Sequence, residues 1–316
     1  MLVLLWLLIG LVLLVAGAEL LVRGGGQLAL ALRVPAIVVG LTVVAFSTST
    51  PELLVSVNAA LHASSEMALA NVNGSNLANL TLVLGLAAMV RPLTVERHLL
   101  RREIPVVLGL SLAVPLVCMD GIISPGDGLL LLLAGITYNV WVIVDALRGR
   151  APKGADEAID GAPGLMRNVL LLAGGLIALL FGARVFVDGA VGVAAALNLS
   201  DRFIGLTVVA LGTSAPEVVT GMVSAHRGEA DLAVGTSLGS NLLNIALVLG
   251  ITALVEPIRV TDANAWWDMG VTVAVTAALV PFVLKGSIGR TEGALFTGFY
   301  GIYLVAGYFG GHAQVP

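Results

Sequence analysis

The sequence predicts an all-α polytopic membrane protein whose ten transmembrane helices form two five-helix repeats of inverted topology. Three observations predict it. The 316 residues are 58% hydrophobic and only 11% charged, against roughly 25% charge in soluble domains. Apolar runs of about 20 residues, long enough to cross a bilayer as a helix, recur along the whole chain. The chain also repeats itself: Gly40 to Glu52 reads GLTVVAFSTSTPE, and Gly205 to Glu217 reads GLTVVALGTSAPE. At the same offset Gly74-Ser75-Asn76 returns as Gly239-Ser240-Asn241, Asn79 as Asn244, Leu84-Gly85 as Leu249-Gly250, and Pro92 as Pro257. A repeat of this length is a duplicated half-protein, not a solenoid unit.

The ten spans are expected at roughly 2–30, 36–61, 66–90, 102–120, 126–147, 165–196, 202–225, 231–255, 265–284 and 291–310. No basic segment precedes the first run, and it continues past any plausible cleavage point, so it reads as a membrane helix and not a signal peptide. The first and sixth runs exceed one straight crossing and should tilt. The second and seventh carry the repeated Pro-Glu, and the third and eighth carry Gly-Ser-Asn. Cys118 lies in an apolar run and reads as packing. As the only cysteine it excludes an internal disulfide and a cysteine metal cluster. Trp266 and Trp267 open the ninth span and read as interfacial anchors. The polar stretch from Arg148 to Asn168, with Lys153, Asp156, Glu157 and Asp160, is too short and too rich in Gly, Ala and Pro to be a domain. The chain therefore divides into a first repeat (1–147), a linker (148–164) and a second repeat (165–316).

Basic residues set the orientation. With the N-terminus outside, Arg33, Arg91, Arg97, Arg101, Arg102, Arg148, Arg150, Lys153, Arg167, Arg227, Lys285 and Arg290 fall in inside loops, and only Arg202 and Arg259 in outside loops. Both termini should thus be extracytoplasmic, the linker cytoplasmic, and the protein a multi-pass component of the cell membrane. Five spans per repeat is odd, so the second copy enters from the opposite side, as in secondary transporters whose ion site lies at the repeat interface.

An ionised carboxylate inside a membrane span is costly and marks a functional site. Glu52 and Glu217 each sit near the middle of a span, directly after Pro51 and Pro216. Proline lacks an N–H and clashes with the preceding turn. It should loosen the helix around Ala45 to Thr48 and around Ala210 to Thr213, freeing carbonyls that a cation can satisfy. Thr48, Ser49, Thr213 and Ser214 add hydroxyls. Ser75 with Asn79, and Ser240 with Asn244, are i, i+4 pairs that can share a helix face. Helix capping is a competing role for the Gly-Ser-Asn stretches. Carboxylate, hydroxyl, amide and carbonyl oxygens without His or Cys form a hard set suited to Ca²⁺ or Na⁺. The pairs Glu19/Arg23 and Arg184/Asp188 occupy equivalent repeat positions with signs exchanged and read as structural ion pairs. His62, His98 and His226 read as solvated loop residues, and Gly24-Gly25-Gly26 lacks phosphate-loop chemistry.

At GLTVVAFSTSTPE…NVNGSNLAN and GLTVVALGTSAPE…GTSLGSNLLN the chain resembles the sodium/calcium exchanger family of the cation/calcium exchanger superfamily, in its short prokaryotic form. The resemblance covers nearly the whole chain. It implies a ten-helix fold and antiport of Ca²⁺ against Na⁺ by alternating access. It implies Glu52 and Glu217 as calcium-ligating acids, with Thr48, Ser49, Thr213 and Ser214 beside them. It also implies Ala45 and Ala210 as sodium-binding carbonyls, and Ser75, Asn79, Ser240 and Asn244 as ligands from the third and eighth helices. Some relatives, potassium-dependent members among them, carry an acid where this chain has Asn244.

Ca²⁺/H⁺ antiport is the alternative. Proton-coupled relatives typically place a histidine beside the acid, whereas Leu53 and Val218 follow the acids here. A cation channel is disfavoured by a closed midplane site, and a hydrolase using Ser214 or Ser240 would have no His or Lys base inside a span. No cofactor, nucleic acid or obligatory protein partner is expected. The partners are Ca²⁺, Na⁺ (or H⁺) and the lipid bilayer.

Overall fold

The structure, a computed structural model, describes residues 2–62, 65–94, 97–148, 164–196, 210–261 and 263–310. Most of the expected linker and the start of the seventh span lie outside these residues. Among them, six helices are long and apolar enough to cross a membrane. A bent pair, Ala36–Thr48 with Thr50–Leu61, makes a seventh when read as one span.

Helices α1 (Leu2–Leu32) and α9 (Leu165–Ala196) are the two longest and pack against each other along their length. Glycines allow the close approach. A Cβ at Gly17 would lie 2.7 Å from the Leu179 nitrogen, one at Gly182 2.8 Å from the Leu14 nitrogen, and one at Gly24 3.0 Å from the Leu172 side chain. Higher numbers in α1 meet lower numbers in α9, so the two run antiparallel. Gly24, which lacks phosphate chemistry, is thus a packing residue.

The first copy continues with α2 (Ala36–Val39), a π-helical turn (Gly40–Val44), α3 (Ala45–Thr48) and α4 (Thr50–Leu61). Next come α5 (Ser65–Ala78), a π turn (Asn79–Val83) and α6 (Leu84–Val90), then α7 (Arg97–Val117) and α8 (Pro125–Arg148). The second copy has α9, α10 (Ala210–Thr213), α11 (Ala215–Arg227), α12 (Ala230–Leu243), a π turn (Asn244–Leu249) and α13 (Gly250–Val255). It closes with α14 (Ala263–Ala278), α15 (Val280–Lys285) and α16 (Arg290–Gly310). The segments Met67–Val90 and Ala230–Val255 are 78% buried, against 17–33% for the other long helices. The two Gly-Ser-Asn helices therefore form the centre, and the rest surround them.

Several sequence expectations are corrected. Helix α7 starts at Arg97, so Arg97, His98, Arg101 and Arg102 belong to its first turns and not to a loop. Arg102 bonds Asp145 of α8 at 2.6 Å and lies 3.8 Å above the Trp141 ring. His226 is in the last turn of α11, and His62 directly follows α4, its Nδ1–H donating to the Asn58 carbonyl at 2.8 Å. Glu19 and Arg23 do pair, at 2.7 Å. Among the described residues, however, Arg184 and Asp188 are exposed and no ion pair joins them. Cys118 is buried among apolar side chains, and Trp266 and Trp267 are exposed near the start of α14.

Two short antiparallel ribbons tie the copies together at their ends. Strand β1 (Leu93–Thr94) pairs with β4 (Ser287–Ile288), and β2 (Ile122–Ile123) with β3 (Ile258–Arg259). β1 and β3 are repeat equivalents, as are β2 and β4, so each ribbon joins one copy to the other. Arg91, Lys285 and Arg290 flank the first ribbon, which marks the basic end of the molecule.

Candidate ion-binding site

The chain around each repeated acid breaks once. Ser49, between α3 and α4, has φ −80° and ψ 1°, and Ser214, before α11, has φ −88° and ψ 3°. Pro51 and Pro216 then stand in the first turn of the new helix, where a missing N–H costs nothing. The break thus comes one residue after the stretch predicted to loosen, and the first is bent by 44°. Ala45 to Thr48 stays helical. The Ala45 carbonyl there accepts from the Ser49 nitrogen at 2.9 Å and the Thr48 hydroxyl at 3.3 Å. Ala210 opens α10, outside the residues whose side chains are described.

Each break puts an acid in the first turn of the following helix, pointing into protein and not lipid. Glu52 and Glu217 are both 1% exposed. Thr48, Ser49, Ser75, Asn79, Ser214, Ser240 and Asn244 are buried, and Thr213 is partly buried. Ser75 and Asn76 lie inside α5, and Ser240 and Asn241 inside α12, so capping is not their role. Asn79 and Asn244 each begin a π turn. Such turns occur often at functional sites because one extra residue re-aims the side chains and frees backbone groups.

The two copies interlock at these residues. The Thr48 hydroxyl lies 3.3 Å from the Ser240 hydroxyl. Ser237 donates to the Asn79 carbonyl at 2.6 Å, and Asn241 to the carbonyl of its own repeat equivalent, Asn76, at 3.1 Å. Helix α4 packs on the π turn 244–249, and α11 on the π turn 79–83. Each acid-bearing helix therefore meets the amide-bearing turn of the other copy. The close approach of α2 and α12 depends on glycine: a Cβ at Gly235 would sit 2.6 Å from the Ile37 carbonyl, and one at Gly40 2.9 Å from the Leu232 carbonyl.

Within the protein, both carboxylate oxygens of Glu52, Oε2 of Glu217, the Ser49 hydroxyl and the whole side-chain amides of Asn79 and Asn244 have no hydrogen-bond partner. Leaving so many buried polar atoms without partners is costly, and the two acids are near enough to repel one another. A cation would resolve both costs. Two carboxylates with hydroxyl and amide oxygens are a donor set that would suit a hard cation.

Sequence reasoning left several buried polar residues outside the set. Asn71 donates to Ser56 at 2.9 Å and to the Glu52 carbonyl at 3.3 Å, which fixes the turn that carries the acid. Thr220 and Ser224 continue from Glu217 along α11, fully buried and with no hydrogen-bond partner. Their i+3 and i+7 spacing from Glu217 was the available signal.

The family described as "Sodium/calcium exchanger protein" matches residues 2–144 and again residues 167–309. The chain belongs to the sodium/calcium exchanger family. This exchanger is 36% identical over 312 residues to the inner membrane protein YrbG of Escherichia coli, covering 96% of each chain. It is 30% identical to the sodium/calcium exchanger MaX1 of Methanosarcina acetivorans, covering 96% of this chain and 97% of that one. Among solved structures it resembles the sodium-calcium exchanger NCX_Mj soaked with 2.5 mM Na⁺ and 0.1 mM Ca²⁺, with a TM-score of 0.84 and 33% identity over 97% of this chain and 98% of that one. The exchanger is a multi-pass membrane protein of the cation/calcium exchanger type, and MaX1 and NCX_Mj are described as sodium/calcium exchangers.

Proposed function

We propose that the chain is a secondary antiporter that exchanges Ca²⁺ for Na⁺ by alternating access, with the ions held between two inverted five-helix repeats. The observation that carries this reading is the pair of buried acids, one per copy, surrounded by oxygens that find no partner in the protein. The matched stretches 2–144 and 167–309 support division into two repeats. The exchanged ribbon pairing supports their inversion. Joining the broken helices across their π turns and kinks supports a reading of ten spans.

Coupling follows from shared ligands. Na⁺ and Ca²⁺ compete for the same two acids, and a carrier with neither ion keeps two negative charges in a low-dielectric site. That discourages the empty carrier from switching, and a ligand shifts the two states only by its differential affinity for them. Two carboxylates balance one Ca²⁺, and no third His, Cys, Asp or Glu joins them among the described residues. Adding K⁺ would leave net charge where charge is costly. Exchange should therefore run without K⁺. The family resemblance implies about three Na⁺ per Ca²⁺; at that ratio one net positive charge crosses per cycle, worth about 2.3 kcal/mol per 100 mV, and exchange is electrogenic.

Uptake of radiolabelled Ca²⁺ into proteoliposomes is the direct test. An outward Na⁺ gradient should drive it and a proton gradient should not. Uptake driven only by protons would replace Na⁺ with H⁺ as the coupling ion. Both termini should be extracytoplasmic. In a background lacking Cys118, a cysteine at Ser124 should react with an impermeant thiol reagent from outside, and one at Ala155 in the linker should not. The reverse pattern would invert the topology.

A further inference from the structure

The two copies hold their long helices differently, and the difference is ionic. At the basic end, Glu19 of α1 accepts hydrogen bonds from Arg23 on its own helix and from both Nε and a terminal nitrogen of Arg227, at the end of α11. The Glu229 carboxylate lies against α1 at Gly26, and Arg91 lies against the turn at Gly228. Helix α1 thus packs along α11. The repeat equivalents of α1 and α11 are α9 and α4, and no comparable packing joins these among the described residues. The equivalents of Glu19, Arg23 and Arg227 are Arg184, Asp188 and His62. The signs are exchanged at the two long-helix positions, which again leaves one acid and two nitrogen-bearing donors. Here Arg184 and Asp188 stand exposed, and His62 donates only to its own helix.

We propose that Glu19–Arg23–Arg227 is one of two state-specific latches, and that Asp188 with Arg184 and His62 is the other, formed when the carrier faces the opposite way. The proposal rests on the antiporter reading. In an inverted-repeat carrier the two states exchange the conformations of the two copies, so a contact made by one copy now is made by the other after the switch. Because α1 and α9 are antiparallel, the latches stand toward opposite ends. The first holds α11 against α1 and shuts the basic end. In the second, Arg184 stands where Glu19 stands in the first, so His62 leaves the Asn58 carbonyl and donates one turn further along α9, to Asp188, shutting the other end.

The test uses the full chain in proteoliposomes, with Cys118 replaced and a reporter cysteine at Ser224, a buried position between Glu217 and the first latch. Its labelling rate by a thiol reagent reports opening of the basic end. Glu19→Gln should raise that rate about fivefold, the scale of a partly exposed ion pair, and Arg227→Gln should do the same. Because they remove one interaction, the double variant should label no faster than either single. Arg227→Lys should stay near the parent, which excludes general misfolding. Asp188→Asn should lower the rate. Equal shifts in the same direction from Glu19→Gln and Asp188→Asn, no shift from either, or additive effects in the double variant would overturn the latch. Na⁺-driven Ca²⁺ uptake is measured in parallel on the unmodified chain, which keeps Ser224. Failure of that chain to transport would instead count against the antiporter reading.

Discussion

Glu52 and Glu217 occupy equivalent positions in the two copies and are equally buried, whereas Glu19 and its equivalent Arg184 carry opposite charges and have different surroundings. Asn79 and Asn244 likewise begin matching π turns. Beyond the acids the match fades: Thr220 and Ser224 on α11 correspond to Val55 and Ala59 on α4. The duplication is thus retained around the buried acids and lost toward the ends of the long helices. On the proposed reading, a site shared by both copies requires the same geometry from each, whereas the ends differ in chemistry because they would open in different states.

The strongest way to break that equivalence is to remove one acid. Glu52→Gln and Glu217→Gln should each reduce Ca²⁺ uptake by about a hundredfold or more, since removing one partner of a buried charge interaction costs ~3–5 kcal/mol. The folded protein should still be recovered as a monodisperse peak. Near-normal uptake by either variant would show that only one copy supplies a ligand.

Acidification should act on both copies at once. Protons would neutralise the carboxylates proposed to hold Ca²⁺, so uptake should be full at alkaline pH and fall as pH drops, with more than one proton taken up per site. Raising Ca²⁺ should restore it, as competition requires. Acid inhibition that excess Ca²⁺ does not relieve would place the titrating groups elsewhere.

A third acid would sharpen the comparison of the two amides. Asn244→Asp adds one negative charge to a site balanced for one Ca²⁺. Uptake by this variant should become stimulated by K⁺ on the Ca²⁺ side, whereas the parent should be indifferent to K⁺. A parent already dependent on K⁺ would refute the two-acid charge count.

The smallest effect concerns packing. Gly17→Ala and Gly182→Ala force a Cβ into the backbone of the partner helix and should each destabilise by about 1–3 kcal/mol, as overpacking does. In contrast, Gly174 in the same helix has open space where a Cβ would go. There alanine should be neutral or stabilising by up to about 1 kcal/mol. Thermal melts in detergent would separate the two outcomes, and equal melting points would mean that α1 and α9 are not held by glycine contact.

The sequence by itself determined the membrane class, the duplication, the two acids as candidate site residues and, among the described residues, the helix positions to within a few residues. These are local or statistical properties: apolar runs, a repeated string, and a carboxylate too costly in lipid to lack a purpose. The glycines at 10, 17 and 24 and at 175, 182 and 189 were equally legible, as a seven-residue spacing repeated in both long helices. Their meaning was hidden until α1 was seen beside α9. Only the tertiary structure decided which groups meet across copies: Thr48 with Ser240, Asn76 with Asn241, and Glu19 with Arg227 instead of Arg23 alone. It also decided that the helix breaks at Ser49 and Ser214, and that Arg184 and Asp188 stand apart where their i, i+4 spacing suggested a pair. The physical reason is the same in each case. Spacing along a helix says which side chains share a face, but the partner that desolvates or satisfies that face comes from the other half of the chain.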